Sequence, residues 1–397
     1  MTDMQKKAQL QAFIDKSFGA KLSSWTQDPN AKGAKPVYIV TGASFTAYDQ
    51  ALHGEFATHS FSRYAPQDKK YLLNNTSAIA ERLLDKGCRV ILHVKDSAIA
   101  ADVFKHVPDN RIQILDGDLG RPEIVHEIYD GLATFAKDAP IKSVGLGLYQ
   151  SFAQQGGIPF KTMDQEDVST VEGAANKRLR FVYNMAAMSY DMLLNRQVDD
   201  LRIVSLSALA SSRATYGLLA DAADKYMNEL AWRTFYIEGR ALTGKDMTYF
   251  QVNPGITTAC EVYKLPDVKK LVIEEAAADG FPFDKDIVQG RANLPQISAD
   301  NVAWVSQKLM TAEYGADLNE NLPPYIKQLL SGGYELSELK DKFNAAVNSD
   351  GGILSLNLDN QLPEHIFTSA TTFGALPEKM EKNMYRRVSL TPLGQKF

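Results

Sequence analysis

Two hydroxyls, a phenol and an ammonium group stand close together in the middle of this chain. Ser205 and Ser207 are two apart in the run Leu201-Arg202-Ile203-Val204-Ser205-Leu206-Ser207, so a strand turns both side chains to one face. Tyr216 follows, and Lys225 comes nine residues after it. A phenol normally titrates near about 10, and an adjacent cation can tune it into a general acid. At about 100° per residue, nine steps put Lys225 near the opposite face of a continuous helix, so the two can meet only if Tyr216 precedes the helix. Ser211 and Ser212 lie between. The six histidines show no metal-ligand spacing, and His53 and His59 fall in an irregular stretch. Cys88 and Cys260 likewise make no metal motif or disulfide framework, which fits a reducing compartment.

Alternating strands and helices must position these groups. Residues 1–35 are a polar, helix-like N-terminal extension. Pro36-Val37-Tyr38-Ile39-Val40 is a buried strand closed by the turn Thr41-Gly42-Ala43-Ser44. Residues 45–73 are irregular and aromatic-rich, an insertion. Asn74-Asn75-Thr76-Ser77 is an N-cap cluster ahead of a helix that Gly87 ends. Strands follow at 89–94, 112–115, 144–148, 202–209 and 247–253, with helices at 97–107, 122–137, 165–193 and 216–238. This alternation predicts an α/β, Rossmann-like, doubly wound parallel sheet. Residues 36–260 form its core. Residues 261–397, with a helix at 299–312 and a strand at 353–356, complete the same domain as a C-terminal extension.

Composition sets the bounds. Of 397 residues, 45% are apolar and 23% charged, enough for a large core. A net charge of −5 carries no basic footprint, so neither nucleic acid nor an anionic membrane is an expected partner. No run reaches the roughly 18 apolar residues of a membrane span, and the N-terminus lacks a signal-peptide core, so the chain reads as cytoplasmic.

The order of these motifs resembles the short-chain dehydrogenase/reductase superfamily over about 36–258, with a weaker tail to about 357. Thr41-Gly42-Ala43-Ser44 resembles the start of its Gly-rich turn, and SAIAERLLDKGCRVILHVKD (77–96) the helix and strand that follow it. Here about thirty residues intervene and the later glycines are missing. The resemblance implies a dinucleotide cofactor, NADP(H) or NAD(H), held by Thr41, Gly42 and Ser44 at the phosphates. Asp118 and Leu119 would lie at the adenine, and Pro254, Gly255 and Thr258 at the nicotinamide carboxamide. Lys95 would meet a 2′-phosphate, with Asp96 as the competing ribose acceptor.

It further implies catalysis by a Tyr that protonates a carbonyl, a Lys one helical turn later and an orienting Ser. Tyr216, Lys225 and Ser207 are the candidates, with Asn176 as the relay Asn. The expected Lys position after Tyr216 is Ala220, and the Tyr-x8-Lys spacing is similar to that of long trans-2-enoyl reductases. Tyr149-Gln150-Ser151 replaces the usual Asn-Ala-Gly. The implied activity is NAD(P)H-dependent reduction of a carbonyl or enoyl group, with a small-molecule or acyl-thioester substrate. The altered turn and Ala220 leave a second reading open: a pseudoenzyme or non-redox member using the fold as a binding module. Relatives often pair through the two long helices, here 165–193 and 216–238, but core packing explains their apolar residues equally well, so a homo-oligomer and a monomer both stay open.

Overall fold

The computed structural model describes residues 3–18, 25, 27, 32–49, 60–149, 167–207, 219–254, 299–311, 351–356 and 367–369. The strands are β1 (Val37–Ala43), β2 (Phe45–Ala47), β3 (Tyr71–Leu73), β4 (Arg89–Val94), β5 (Ile112–Asp116), β6 (Ser143–Leu148), β7 (Asp200–Leu206), β8 (Asp246–Pro254), β9 (Gly351–Leu356) and β10 (Phe367–Ser369). The helices are α1 (Asp3–Phe18), α2 (Asn75–Asp85), α3 (Ser97–Phe104), α4 (Pro122–Asp138), α5 (Val168–Asn195), α6 (Leu219–Thr243) and α7 (Ala299–Thr311).

The main sheet runs β10-β9-β8-β7-β6-β1-β4-β5. All pairings from β5 to β9 are parallel, and only β10 runs antiparallel to β9. Strand order reverses direction between β1 and β6, which is the switch point where α/β sheets bind ligands at their carboxyl ends. The predicted Rossmann-like architecture is therefore present.

Side-chain alternation divides the core in two. Val37, Ile39, Val144, Leu146, Leu201 and Ile203 pack under α1, α4, α5 and α6. Tyr38, Val40, Val90, Leu92, Val204 and Phe250 pack under α2, α3 and α7. Such continuous apolar strands are what a sheet covered on both faces requires.

The N-terminal extension is integral to this packing. Leu10, Ile14 and Phe18, at helical spacing on α1, are buried in the first cluster. The Gln27 side chain then accepts from the Ile141 amide at 2.6 Å and donates to the Arg196 carbonyl at 2.5 Å, tying the extension to the chain entering β6 and β7.

The insertion is more ordered than its sequence suggests. β2 and β3 pair antiparallel, so the chain leaves the sheet after Ser44 and returns beside its point of departure at Asn74. Beyond the hairpin, Glu81 on α2 is fully buried and accepts from Ser62 Oγ at 2.5 Å and from the Arg63 amide at 3.0 Å. Burial pushes its carboxyl up to about 7.

Candidate active site at the carboxyl ends of the strands

Gly42 and Tyr149 meet at the switch point. Gly42 has φ +75°, and a Cβ there would run into the Tyr149 backbone oxygen, so only glycine fits. Asn74 joins the two sides of the insertion. Its Nδ2 donates to the Gly42 carbonyl at 2.9 Å, while its Oδ1 accepts from the Ser44 amide at 3.3 Å and from the Ser77 amide at 2.9 Å. Thr76 Oγ1 also donates to the Gly42 carbonyl, at 3.0 Å. The expected N-cap cluster therefore caps α2 and brings its N-terminus to the end of β1.

His93, on β4, completes the turn from the other side. The Gly42 amide donates to its Nδ1 at 3.4 Å, so Nε2 carries the proton and donates to the Gly117 carbonyl at 3.0 Å. Burial pushes the imidazole pKa down, which keeps the ring neutral.

The adenine-side candidates divide by environment. Lys95 is exposed, and its amide donates to the Ala43 carbonyl at 3.0 Å. Asp96 is taken as the cap of α3, accepting from the Ile99 amide at 3.1 Å. Asp118 accepts from the Gly120 amide at 2.9 Å and faces Lys177 at 3.9 Å, while Leu119 is buried. A cavity of about 520 Å³, lined by Gly117, Asp118, Arg121, Glu127 and Arg180, opens at this end of the sheet.

On the other side of the switch point, one face of α6 supplies the polar groups. Lys225 is only 2% exposed, and its Nζ lies 4.6 Å from the centre of the Tyr149 ring. Tyr216, from which its spacing was counted, lies outside the described residues, so whether the two meet is not shown. Asn228 and Glu229 follow one turn later. Asn228 Nδ2 donates to Ser205 Oγ at 3.0 Å, and Ser207 Oγ donates to Glu229 Oε1 at 2.6 Å. Both predicted hydroxyls thus turn to one face, and α6 engages both.

Behind them, Arg233 Nη2 joins Glu229 Oε2 (3.2 Å) to Gln251 Oε1 (2.7 Å). Arg178 of α5 makes a two-pronged pair with Asp224, 2.9 Å on each arm, and both side chains are at most 1% exposed.

Several sequence candidates do not join this group. Asn176 is exposed on α5; the buried polar residue of that segment is Arg178. Ala220 is buried in the apolar core. Tyr216, Gly255 and Thr258 lie outside the described residues, and Pro254 ends β8. The residue four before the buried Lys225 is Asp221. Asn228 and Glu229, three and four residues after Lys225, stand at helical spacing that the sequence itself displays. His93 and Arg178 had no such signal, since their partners come from distant segments.

The chain after β3 returns to the end of β1, so the β1 turn meets the N-terminus of α2, and Lys225 lies across the switch point from that turn, an outline that would suit a dinucleotide although the Gly42 and Ser44 amides are bonded within the protein. No helix of the described residues is long and apolar enough to cross a membrane, and no cluster of metal-ligating side chains occurs among them.

No family model matches the chain, and no curated protein matches it. Solved structures with a similar fold include the KRED1-Pglu enzyme, at 16% identity over 72% of this chain and 98% of that one, with a TM-score of 0.45. A short-chain dehydrogenase/reductase described as a glucose/ribitol dehydrogenase, from Brucella melitensis, matches at 14% identity over 72% of this chain and 91% of that one (TM-score 0.40). A single-residue variant of ElxO with NADPH bound matches at 13% over 82% and 97% (TM-score 0.45). The strand order makes this chain a Rossmann-like α/β protein.

Proposed function

We propose that this chain is a nicotinamide-dependent oxidoreductase of the short-chain dehydrogenase/reductase type that acts on a carbonyl group or its reduced form. The observation that carries the reading is Lys225, a buried ammonium at the carboxyl ends of β6 and β7 beside Tyr149. At this place in the fold it can meet a ribose hydroxyl or a carbonyl oxygen that gains charge during reaction. The turn Thr41-Gly42-Ala43-Ser44 with the N-terminus of α2 would take the phosphates, Lys95 a 2′-phosphate, and Asp118 with Leu119 the adenine end. The bound cofactor would supply or accept a hydride. The protein's own work is to hold the substrate oxygen near Lys225 and to exclude water with Tyr149.

The acid is the unusual part. With Asp221 rather than a phenol four residues before Lys225, Lys225 itself is the group that faces the developing charge. Tyr216, earlier in the chain, is the other source of a proton.

A second reading, a binding module without hydride chemistry, is favoured by one observation. The Gly42 amide and carbonyl and the Ser44 amide are already bonded to His93, Asn74 and Thr76. A phosphate would have to compete for those donors.

Titration with NADPH and NADH, following nicotinamide fluorescence and thermal stability together, separates the two. Saturable binding with a preference for NADPH is expected, and Lys225→Met should then lower turnover about a hundredfold or more while the protein stays folded. No binding at millimolar cofactor would remove the oxidoreductase reading and leave the module.

A further inference from the structure

His93 links the β1 turn to the loop after β5. Its Nδ1 receives the Gly42 amide at 3.4 Å, and its Nε2 donates at 3.0 Å to the carbonyl of Gly117, which lines the cavity beyond β5. Only a neutral imidazole can serve both partners, because an imidazolium donates from both nitrogens. The ring is 5% exposed, and burial is the largest influence on it, holding it in that neutral form. Asp116 and Asp118, at the end of β5 and just after it, are the carboxylates that draw it the other way. Asn74 and Thr76, which reach the Gly42 carbonyl from the α2 side, are uncharged, and Lys95 and Asp96 follow the end of β4. An amide that already donates to a nitrogen lone pair is withheld from a phosphate. A proton on that lone pair would release it.

From this geometry we infer that His93 is a positioning residue that ties anion binding to proton uptake: protonation of Nδ1 frees the Gly42 amide for a pyrophosphate and sets a cation beside it. The inference rests on the dinucleotide reading of the crevice and adds its regulation. One proton passes from solvent to Nδ1, the Gly42 N–H exchanges Nδ1 for a phosphate oxygen, and Nε2 keeps its bond to Gly117. His93 acts through Gly42 and need not touch the ligand. By reciprocity, a phosphate that draws a proton onto His93 is held more tightly wherever His93 is already protonated. The crevice should therefore grip a dinucleotide more firmly as pH falls.

The test uses ADP-ribose, which carries the pyrophosphate and adenine of the cofactor and no group that titrates between pH 5 and 8. Calorimetry on the full chain, run in two buffers of different ionisation enthalpy, gives affinity and proton uptake together. Wild-type affinity should rise about tenfold or more from pH 8 to pH 5, with net proton uptake on binding. His93→Asn can still offer an acceptor to Gly42 but cannot titrate, so its affinity should be flat with pH and its proton uptake lost. If that variant does not fold, the His93 ring resonance of the wild type reads the same point, and it should titrate at higher pH with ADP-ribose bound than without. A flat wild-type affinity, proton uptake that persists in His93→Asn, or a ring titration that ADP-ribose leaves unmoved would overturn the inference and leave the dinucleotide reading standing. No binding of ADP-ribose at millimolar concentration at any pH would remove both.

Discussion

Replacing Glu81 by Gln should change how stability depends on pH, and the size of the change follows from where Glu81 sits. The side chain is fully buried on α2, receiving Ser62 Oγ and the Arg63 amide, with the Arg63 guanidinium 3.6 Å away and the Arg63–Asp85 pair beyond. Burial is the largest influence and raises its pKa from 4.5 to about 7, outweighing the two hydrogen bonds and Arg63, which act to lower it. Below pH 4.5 the folded and unfolded chains both carry the proton. Between 4.5 and 7 the unfolded chain has released it and the folded chain has not, so stability falls as pH rises. Above 7 the loss is complete. At about 1.4 kcal/mol per tenfold change in proton affinity, the span corresponds to roughly 3 kcal/mol. Glutamine is neutral throughout, and neighbouring groups such as Asp85 and Tyr64 are common to both proteins. Urea unfolding of wild type and Glu81→Gln at half-unit steps from pH 4 to 8.5 isolates the effect as a difference. The wild type should lose about 3 kcal/mol relative to the variant across that range. A flat difference, or one that rises with pH, would refute the argument that desolvation dominates at this carboxylate.

Three further outcomes follow from the site. Asp224→Ala takes the paired carboxylate from the buried Arg178 guanidinium and should cost about 3–5 kcal/mol, whereas Arg178→Met with Asp224→Leu should come close to wild type; guanidinium denaturation of wild type and the two variants measures this. Gly42→Ala forces a left-handed backbone and a clash with the Tyr149 carbonyl, and should lower stability by about 2 kcal/mol or more, read as a drop in melting temperature. Asn74→Ala removes the α2 cap and both bonds across the insertion, so a loss of about 1–2 kcal/mol is expected, together with faster amide exchange at Ser44 and Ser77.

The sheet was legible because its strands are buried on both faces and read as short continuous apolar runs. The cap at Asn74 was legible because its side-chain types name their own role. What escaped depended on tertiary packing. A spacing counted from Tyr216 to Lys225 does not say which face of the helix is buried. α6 as described from Leu219 carries Lys225, Asn228 and Glu229 on one buried face. The β2–β3 pair escaped because each strand is three residues long, too short for alternation to register. The Arg178–Asp224 pair escaped because two charges 46 residues apart announce their pairing only once α5 and α6 lie side by side.

An interruption of about thirty residues after the turn proposed to take phosphates would seem to end such a use, but the cost of closing a loop grows only logarithmically with its length, about 0.6 kcal/mol per doubling. The β2–β3 pairing returns the chain to its starting point, and Asn74 bonds Gly42 and Ser44 on arrival. The turn is therefore kept in space although it is broken in sequence. One of these bonds, from the Ser44 amide, occupies a donor that a phosphate would use. In the proposed oxidoreductase, Asn74 preserves the shape of the turn and competes for that donor, so NADPH affinity should rise as that side chain yields. A weakened α2 cap in Asn74→Ala that nonetheless tightened NADPH binding would identify Asn74 as the competitor. A variant that lost stability and gained no affinity would place the obstacle elsewhere, with His93 and its bond to the Gly42 amide the next group to test.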